Sequence, residues 1–251
     1  MELLIDHREG WCLLTLNRPA ARNALTTALL GALANTLDHL AEDISCRAVV
    51  LTGAEGNFAA GADIAEIATK GSAEGAVDPR KDLWARIRAF PKPLIAAVDG
   101  FALGGGFELA LMADAMVLGT TARVGLPETN LGILPGAGGG QRLLALVGRA
   151  RASRMVLTGE IIDAPTALGW GIAAWGAEGP ALPMAEALAG TLAARAPLAL
   201  AAAKRALVAG DEGRLAFSGE RTAFEALLDT ADKVEGIAAF RERRKPVFRG
   251  E

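Results

Sequence analysis

The sequence predicts an α/β fold, and three observations carry that prediction. Short apolar runs at 48 to 52, 94 to 98 and 115 to 118 have the length and composition of buried strands. Each run is followed by a loop bearing Gly or Pro, which implies repeated strand-to-helix units. Between 24 and 40, leucines at 25, 29, 30, 33, 37 and 40 recur at the spacing of one helix face. A chain of 251 residues is long enough to bury one large core.

Taken in order, Trp11 to Leu16 reads as a strand and Ala24 to Leu40 as an amphipathic helix. The run at 48 to 52 leads into Phe58-Ala-Ala-Gly-Ala-Asp-Ile64, a glycine loop that opens a short helix. Residues 69 to 82 are small and polar with little periodicity, and read as a mobile surface connection. The run at 94 to 98 leads into a second glycine loop, Ala102-Leu-Gly-Gly-Gly-Phe-Glu-Leu109, and the run at 115 to 118 precedes Gly125-Leu-Pro-Glu128. From Met184 the chain becomes Ala- and Leu-rich, with breaks at Pro197, near Gly210 and near Asp232, which predicts three helices and a tail.

Composition narrows the class. Hydrophobic residues make up 51% and charged residues 22%, the balance of an ordered chain. Cys12 and Cys46 stand alone, and the only histidines, His7 and His39, are read as structural or exposed, so neither a metal site nor a disulfide framework is indicated. No leader pattern opens the chain and no apolar segment reaches the roughly 18 residues of a membrane span, so a cytoplasmic location and no membrane partner are expected. A net charge of −3 gives no general attraction for nucleic acid, and the basic run from Arg241 to Arg249 reads as a solvated tail or a local phosphate contact.

The two glycine loops place backbone N–H groups where a strand ends and a helix begins. Such groups lack intrahelical partners and lie at the positive end of the dipole, which suits them to a developing negative oxygen. Glu108 follows the second loop, inside the first helical turn, and Glu128 comes from a Pro-bearing loop. Two carboxylates beside an anion-stabilising site point to acid/base chemistry on an acyl group. Read singly, Glu108 also fits a residue that complements the helix dipole, and Glu128 an exposed loop carboxylate. Asp63 and Asp114 are better explained by helix-end or loop hydrogen bonds than by catalysis. Dinucleotide spacing fails, because the third glycine falls on Leu109 after Gly104 and Gly106 and on Gln141 after Gly136 and Gly138. A P-loop fails for want of Gly-Lys-Ser/Thr, and none of Ser45, Ser72, Ser153 and Ser218 lies in Gly-x-Ser-x-Gly.

These motifs, with Leu16-Asn-Arg-Pro, Asn23-Ala-Leu, Pro93-Leu-Ile-Ala-Ala-Val-Asp-Gly, Gly132-Ile-Leu-Pro-Gly-Ala-Gly-Gly, Leu157-Thr-Gly-Glu, Ala196-Pro-Leu-Ala and the tail from Glu235 to Phe248, resemble the crotonase superfamily over nearly the whole chain, specifically the enoyl-CoA hydratases. The resemblance implies a crotonase-like spiral of repeated ββα units in residues 1–190 and a C-terminal helical region, 191–251, for trimerisation and active-site cover. It implies that the backbone N–H groups of Ala62 and Gly105 form an oxyanion hole and that Glu108 and Glu128 are the catalytic pair. Keeping both glutamates favours hydration of a trans-2-enoyl-CoA over Δ3-Δ2 isomerisation; a specialised 3-hydroxyacyl-CoA dehydratase is the same chemistry reversed. By the same resemblance CoA lies along Ala21, Arg22, Ala24, Ala60, Asp63, Ile64, Ala65 and Gly104, with Arg22 or Lys245 near its phosphates. It implies a homotrimer or a dimer of trimers and no cofactor beyond the CoA of the substrate. An RNA-binding relative is disfavoured by the acidic balance. Gly140 departs from the family motif, where threonine is more frequent. The acyl group is not legible, since the far pocket falls in residues 69 to 90 and in the C-terminal helices.

Overall fold

The apolar run at 48 becomes a strand buried on both faces, the burial typical of a parallel sheet covered by helices. The computed structural model describes residues 1–68, 71–211, 222 and 224–251. Its main sheet has six strands in the order β1 (Leu3–Arg8), β2 (Trp11–Leu16), β3 (Ala48–Gly53), β4 (Leu94–Val98), β6 (Ala115–Leu118) and β9 (Trp175–Gly176). Among the described residues of this sheet, only the β1–β2 pairing is antiparallel, with Leu3 opposite Leu16 and Arg8 opposite Trp11. A second sheet joins β5 (Phe101–Leu103), β7 (Arg123–Gly125) and β8 (Ile161–Asp163).

Alternation along β3 divides the core in two. Val49 and Leu51 face a large apolar cluster that includes Leu29, Leu33 and Leu37 of α1 (Thr27–Glu42). Ala48 and Val50 face the opposite layer. Five of the leucines expected on one helix face, from Leu29 to Leu40, are buried in α1, each contributing roughly 1.5–3 kcal/mol of apolar transfer. Leu25 lies before the helix, because Thr26 is the N-cap and its hydroxyl accepts the Leu29 N–H at 3.0 Å.

After β3 come α2 (Ile64–Ala68), α3 (Ser72–Ala76) and α4 (Arg80–Arg88). The segment 69 to 82 is therefore not one irregular connection, although Thr69 and Lys70 lie outside the described residues. Small residues weaken a periodic signal without preventing a short helix, and Asp78 Oδ1 accepts the Arg80 N–H where α4 begins. The chain continues through α5 (Gly105–Leu111), α6 (Gly139–Thr158), α7 (Ala164–Gly169), α8 (Leu182–Ala193), α9 (Pro197–Asp211) and α10 (Ala231–Glu242). Residue 190, where the sequence reading divides core from helical region, lies inside α8, whose Ala185 and Ala189 are buried in the second core layer.

The expected helix between Gly210 and Asp232 falls largely on 212–221 and 223, outside the described residues, as does Ser218. The expected tail opens with α10, started by Thr230, whose hydroxyl accepts the Lys233 N–H. Buried Asp232 then accepts the Arg249 and Gly250 N–H groups at 2.6 and 2.8 Å, fastening the last residues to the start of α10.

Candidate active site

The first glycine loop is gripped from both sides. Leu25 N–H donates to Gly61 O at 2.8 Å and Asp63 N–H to Leu25 O at 3.0 Å, a parallel bridge between Leu25 and Ala62. In that pattern the N–H of the middle residue points to the other edge, so Ala62 N–H is turned away from Leu25. Three residues earlier, Ala59 bridges Ala102: Ala59 N–H donates to Phe101 O and Leu103 N–H to Ala59 O. Fully buried Asn23 secures the near side, its Nδ2 donating to Ala54 O and Asn57 O while its Oδ1 accepts the Arg18 N–H.

The second loop turns into α5 through Gly104, at φ +50° and ψ −127°, a conformation open to glycine. At Gly106 the need is space, since a Cβ there would lie 2.1 Å from Ala59 O. That approach brings the start of α5 against the first loop, and a Cβ on Gly105 would lie 3.5 Å from Ala62 N. Among the described residues, neither the Ala62 nor the Gly105 N–H donates to a protein acceptor. Two backbone donors thus meet at one corner, one of them at a helix N-terminus.

Glu108 and Glu128 are brought to the same corner. Glu108 is 3% exposed, and its Oε1 accepts the Ala137 and Gly139 N–H groups at 2.7 and 2.8 Å. Glu128 is 8% exposed, in the 3₁₀ turn Pro127–Leu131, and its buried Oε2 meets no hydrogen-bond partner among the described residues. Burial pushes the Glu128 carboxyl up to about 7, opposed by its own backbone N–H, and the nearby Glu108 charge pushes the same way as burial. The two carboxyls are chemically unequal: one is fixed as an acceptor by paired donors, and the other retains its proton towards neutrality.

A cavity of about 540 Å³ opens on this corner. Of the residues singled out from sequence, Ala60, Ala62, Ile64, Gly104, Gly105, Glu108 and Glu128 line it. Ala21, Arg22, Ala24, Asp63 and Ala65 do not. The Arg22 guanidinium stacks 5.4 Å from the Phe101 ring centre, and exposed Lys245 lies in the tail. Asp63 Oδ2 accepts from Arg18 Nη1 and its Oδ1 from the Ala65 N–H, while Asp114 Oδ2 accepts from the Leu94 N–H and Lys204 Nζ. Sequence reasoning missed the donors Ala137 and Gly139, since every residue type except proline carries an N–H. It also missed the individual contributions of α4, whose Trp84 and Ala85 line the cavity.

Among the described residues no helix is long and apolar enough to cross a membrane, and no three His, Cys, Asp or Glu side chains are grouped to hold a metal ion. Cys12 and Cys46 are free and buried.

The fold thus brings two buried carboxyls and two backbone N–H groups to one corner of the cavity. The family model for enoyl-CoA hydratase/isomerase matches residues 6–251. The chain is 50% identical over 252 residues to the 2,3-dehydroadipyl-CoA hydratase of Escherichia coli K12, covering 99% of both. It is 39% identical to a probable enoyl-CoA hydratase of Bacillus subtilis, covering 95% of both. Among solved structures, the enoyl-CoA hydratase of Bacillus anthracis superposes with a TM-score of 0.93 at 35% identity, covering 100% of both chains. That of Mycobacterium tuberculosis H37Rv superposes at 0.90, also at 35% identity, covering 100% of this chain and 99% of the other. The chain belongs to the enoyl-CoA hydratase/isomerase family, with the crotonase fold, and is an enzyme acting on CoA thioesters.

Proposed function

We propose that the chain catalyses reversible addition of water to a trans-2-enoyl-CoA, giving a 3-hydroxyacyl-CoA, with no cofactor beyond the CoA carried by the substrate. The observation that carries this reading is the unequal pair, Glu108 held by two N–H donors and Glu128 with a carboxyl pushed up to about 7, beside the free N–H groups of Ala62 and Gly105. The thioester carbonyl oxygen accepts from Ala62 and Gly105 as negative charge collects on it, and losing one such donor costs about 100- to 1000-fold. Water adds through its oxygen to C3 while its proton passes to Glu108; Glu128 gives its proton to C2. Solvent then takes the proton from Glu108 and re-protonates Glu128.

Isomerisation of a Δ3-enoyl-CoA needs one proton-shuttling carboxylate, so the second buried carboxylate favours hydration. The Escherichia coli relative supports a finer reading of the acyl group, an enoyl thioester ending in a second carboxylate, as in 2,3-dehydroadipyl-CoA. CoA itself is proposed to lie along Ala60 to Ala65 and Ala21 to Ala24, with Arg22 or Lys245 near its phosphates. A homotrimer or dimer of trimers is proposed, supported by Leu207, Val234 and Phe240 of the C-terminal helices, which are 74%, 61% and 84% exposed.

Decay of the conjugated enoyl-thioester absorbance with crotonyl-CoA, compared between the native chain and Glu128→Gln, tests the reaction. Rapid decay in the native chain alone supports it; near-equal decay in both removes Glu128 from the mechanism.

A further inference from the structure

We propose that the cavity-facing cations of α4, Arg80 and Lys81, bind a carboxylate at the far end of the acyl chain and so select dicarboxylic enoyl-CoA thioesters over neutral ones of equal length. The proposal rests on the hydratase reading and assigns its selectivity to residues.

The helix is two-faced. Ile87 is buried and Leu83 packs on the main core, while Arg86 reaches back to α1, where its guanidinium donates to Asp38 Oδ2 and Asn35 Oδ1. The other face carries Arg80, Lys81, Trp84, Ala85 and Arg88, spaced by helical turns, and all five line the cavity that holds Glu108 and Glu128. Arg86 therefore spends its charge on holding the helix in place, whereas Arg80 and Lys81 face the space where substrate goes.

Their bonding supports that difference. The half-buried Arg80 guanidinium meets no acceptor among the described residues, and Lys81 Nζ gives one bond, to Ala76 O at 2.9 Å, which leaves two of its N–H groups available. Asp78 stands on the same wall, where its Oδ1 accepts the Arg80 backbone N–H at 2.9 Å. Elsewhere the wall includes apolar Ile64, Ile67, Trp84, Ile133 and Leu134. A neutral alkyl chain is served by those apolar groups and gains nothing from a guanidinium. A planar carboxylate gains charge-assisted hydrogen bonds from the guanidinium fork of half-buried Arg80 and the ammonium of exposed Lys81.

The CoA phosphates offer the same anionic oxygens, so the experiment must separate the two ends of the substrate. The kcat/KM ratio for 2,3-dehydroadipyl-CoA over trans-2-hexenoyl-CoA is measured for the native enzyme and for Arg80→Met, Lys81→Met, the double variant and Arg80→Lys. Calorimetric Kd values for adipyl-CoA and hexanoyl-CoA are taken in parallel. We expect the native ratio to favour the dicarboxylic substrate, the double variant to lower it about 10- to 100-fold, and Arg80→Lys to restore part of it. Arg86→Met, on the opposite face, is the control for helix position: it lowers thermal stability and keeps the ratio. Equal weakening towards both thioesters assigns the cations to CoA and overturns the proposal, as does a ratio that falls equally in Arg86→Met. If the native chain hydrates neither substrate, the hydratase reading fails, and the adipyl-to-hexanoyl Kd ratio still decides whether these cations hold a carboxylate.

Discussion

Glu108 and Glu128 line one cavity in opposite hydrogen-bonding states: Glu108 Oε1 accepts two backbone N–H groups, and Glu128 Oε2 is buried with none among the described residues. Burial, with the nearby Glu108 charge acting the same way, pushes the Glu128 carboxyl up to about 7.

The first consequence is a pH-dependent cost to stability. The Glu128 carboxyl is raised from 4.5 to about 7 on folding, so the folded state holds its proton over a range where the unfolded chain has lost it. Stability therefore falls as pH rises from about 4.5 through 7, by roughly 3 kcal/mol in full. Glu128→Gln removes the charge and with it the loss. Thermal melts should show this variant more stable than the native chain at pH 8, with the gap closing towards pH 4.5; a gap independent of pH would refute the assignment.

Catalysis follows the same group in the other direction. In the proposed mechanism Glu128 donates its proton to C2, so the hydration rate should fall about tenfold per pH unit above 7. Glu128→Gln should lose about 100- to 10,000-fold at neutral pH and show no such limb. A native profile flat from pH 6 to 9 would contradict the role.

Glu108 carries structure as well as its proposed chemistry. Glu108→Ala leaves the Ala137 and Gly139 N–H groups without their acceptor, at about 1–3 kcal/mol for each buried donor. Glu108→Gln keeps an amide oxygen for the same two donors. Denaturant unfolding should therefore find the alanine variant clearly destabilised and the glutamine variant near native, while turnover is lost in both.

Gly106 and Gly140 offer a paired test of close approach. A Cβ at Gly106 would meet Ala59 O at 2.1 Å, whereas one at Gly140, inside α6, meets nothing within 4 Å. Gly106→Ala should destabilise by roughly 1–3 kcal/mol or more and reduce turnover by displacing Gly105 from Ala62. Gly140→Ala should stabilise by about 0.5–1 kcal/mol, because it lowers the entropy lost on helix formation. Melting temperatures of the two variants check both signs.

Much of this is legible in the sequence alone. The runs at 48, 94 and 115 announce themselves because strands covered on both faces tolerate little but apolar residues, and α1 because one face of a helix repeats its leucines. Strand β1 is harder to read, since five of its six residues are exposed, and β7 and β8, at three residues each, are too short to show a period. Both glutamates stood out through their motifs. Their unequal hydrogen bonding did not, because it arises from N–H groups of a segment 29 and 31 residues further along, which any sequence there except proline would supply. The basic face of α4 was hidden for another reason: charge on a short helix reads as solvated surface until the neighbouring wall is known.

The two bridges that hold the first glycine loop, Leu25 to Ala62 and Ala59 to Ala102, tie together stretches of chain that are far apart along the sequence. Each such closure carries an entropic cost that only a nearly complete sheet can offset. The donor corner therefore has no local precursor, and a half-assembled molecule has no half-working site. Refolding followed by regained turnover should lag behind refolding followed by helical signal, so that activity times the closing of the longest loops.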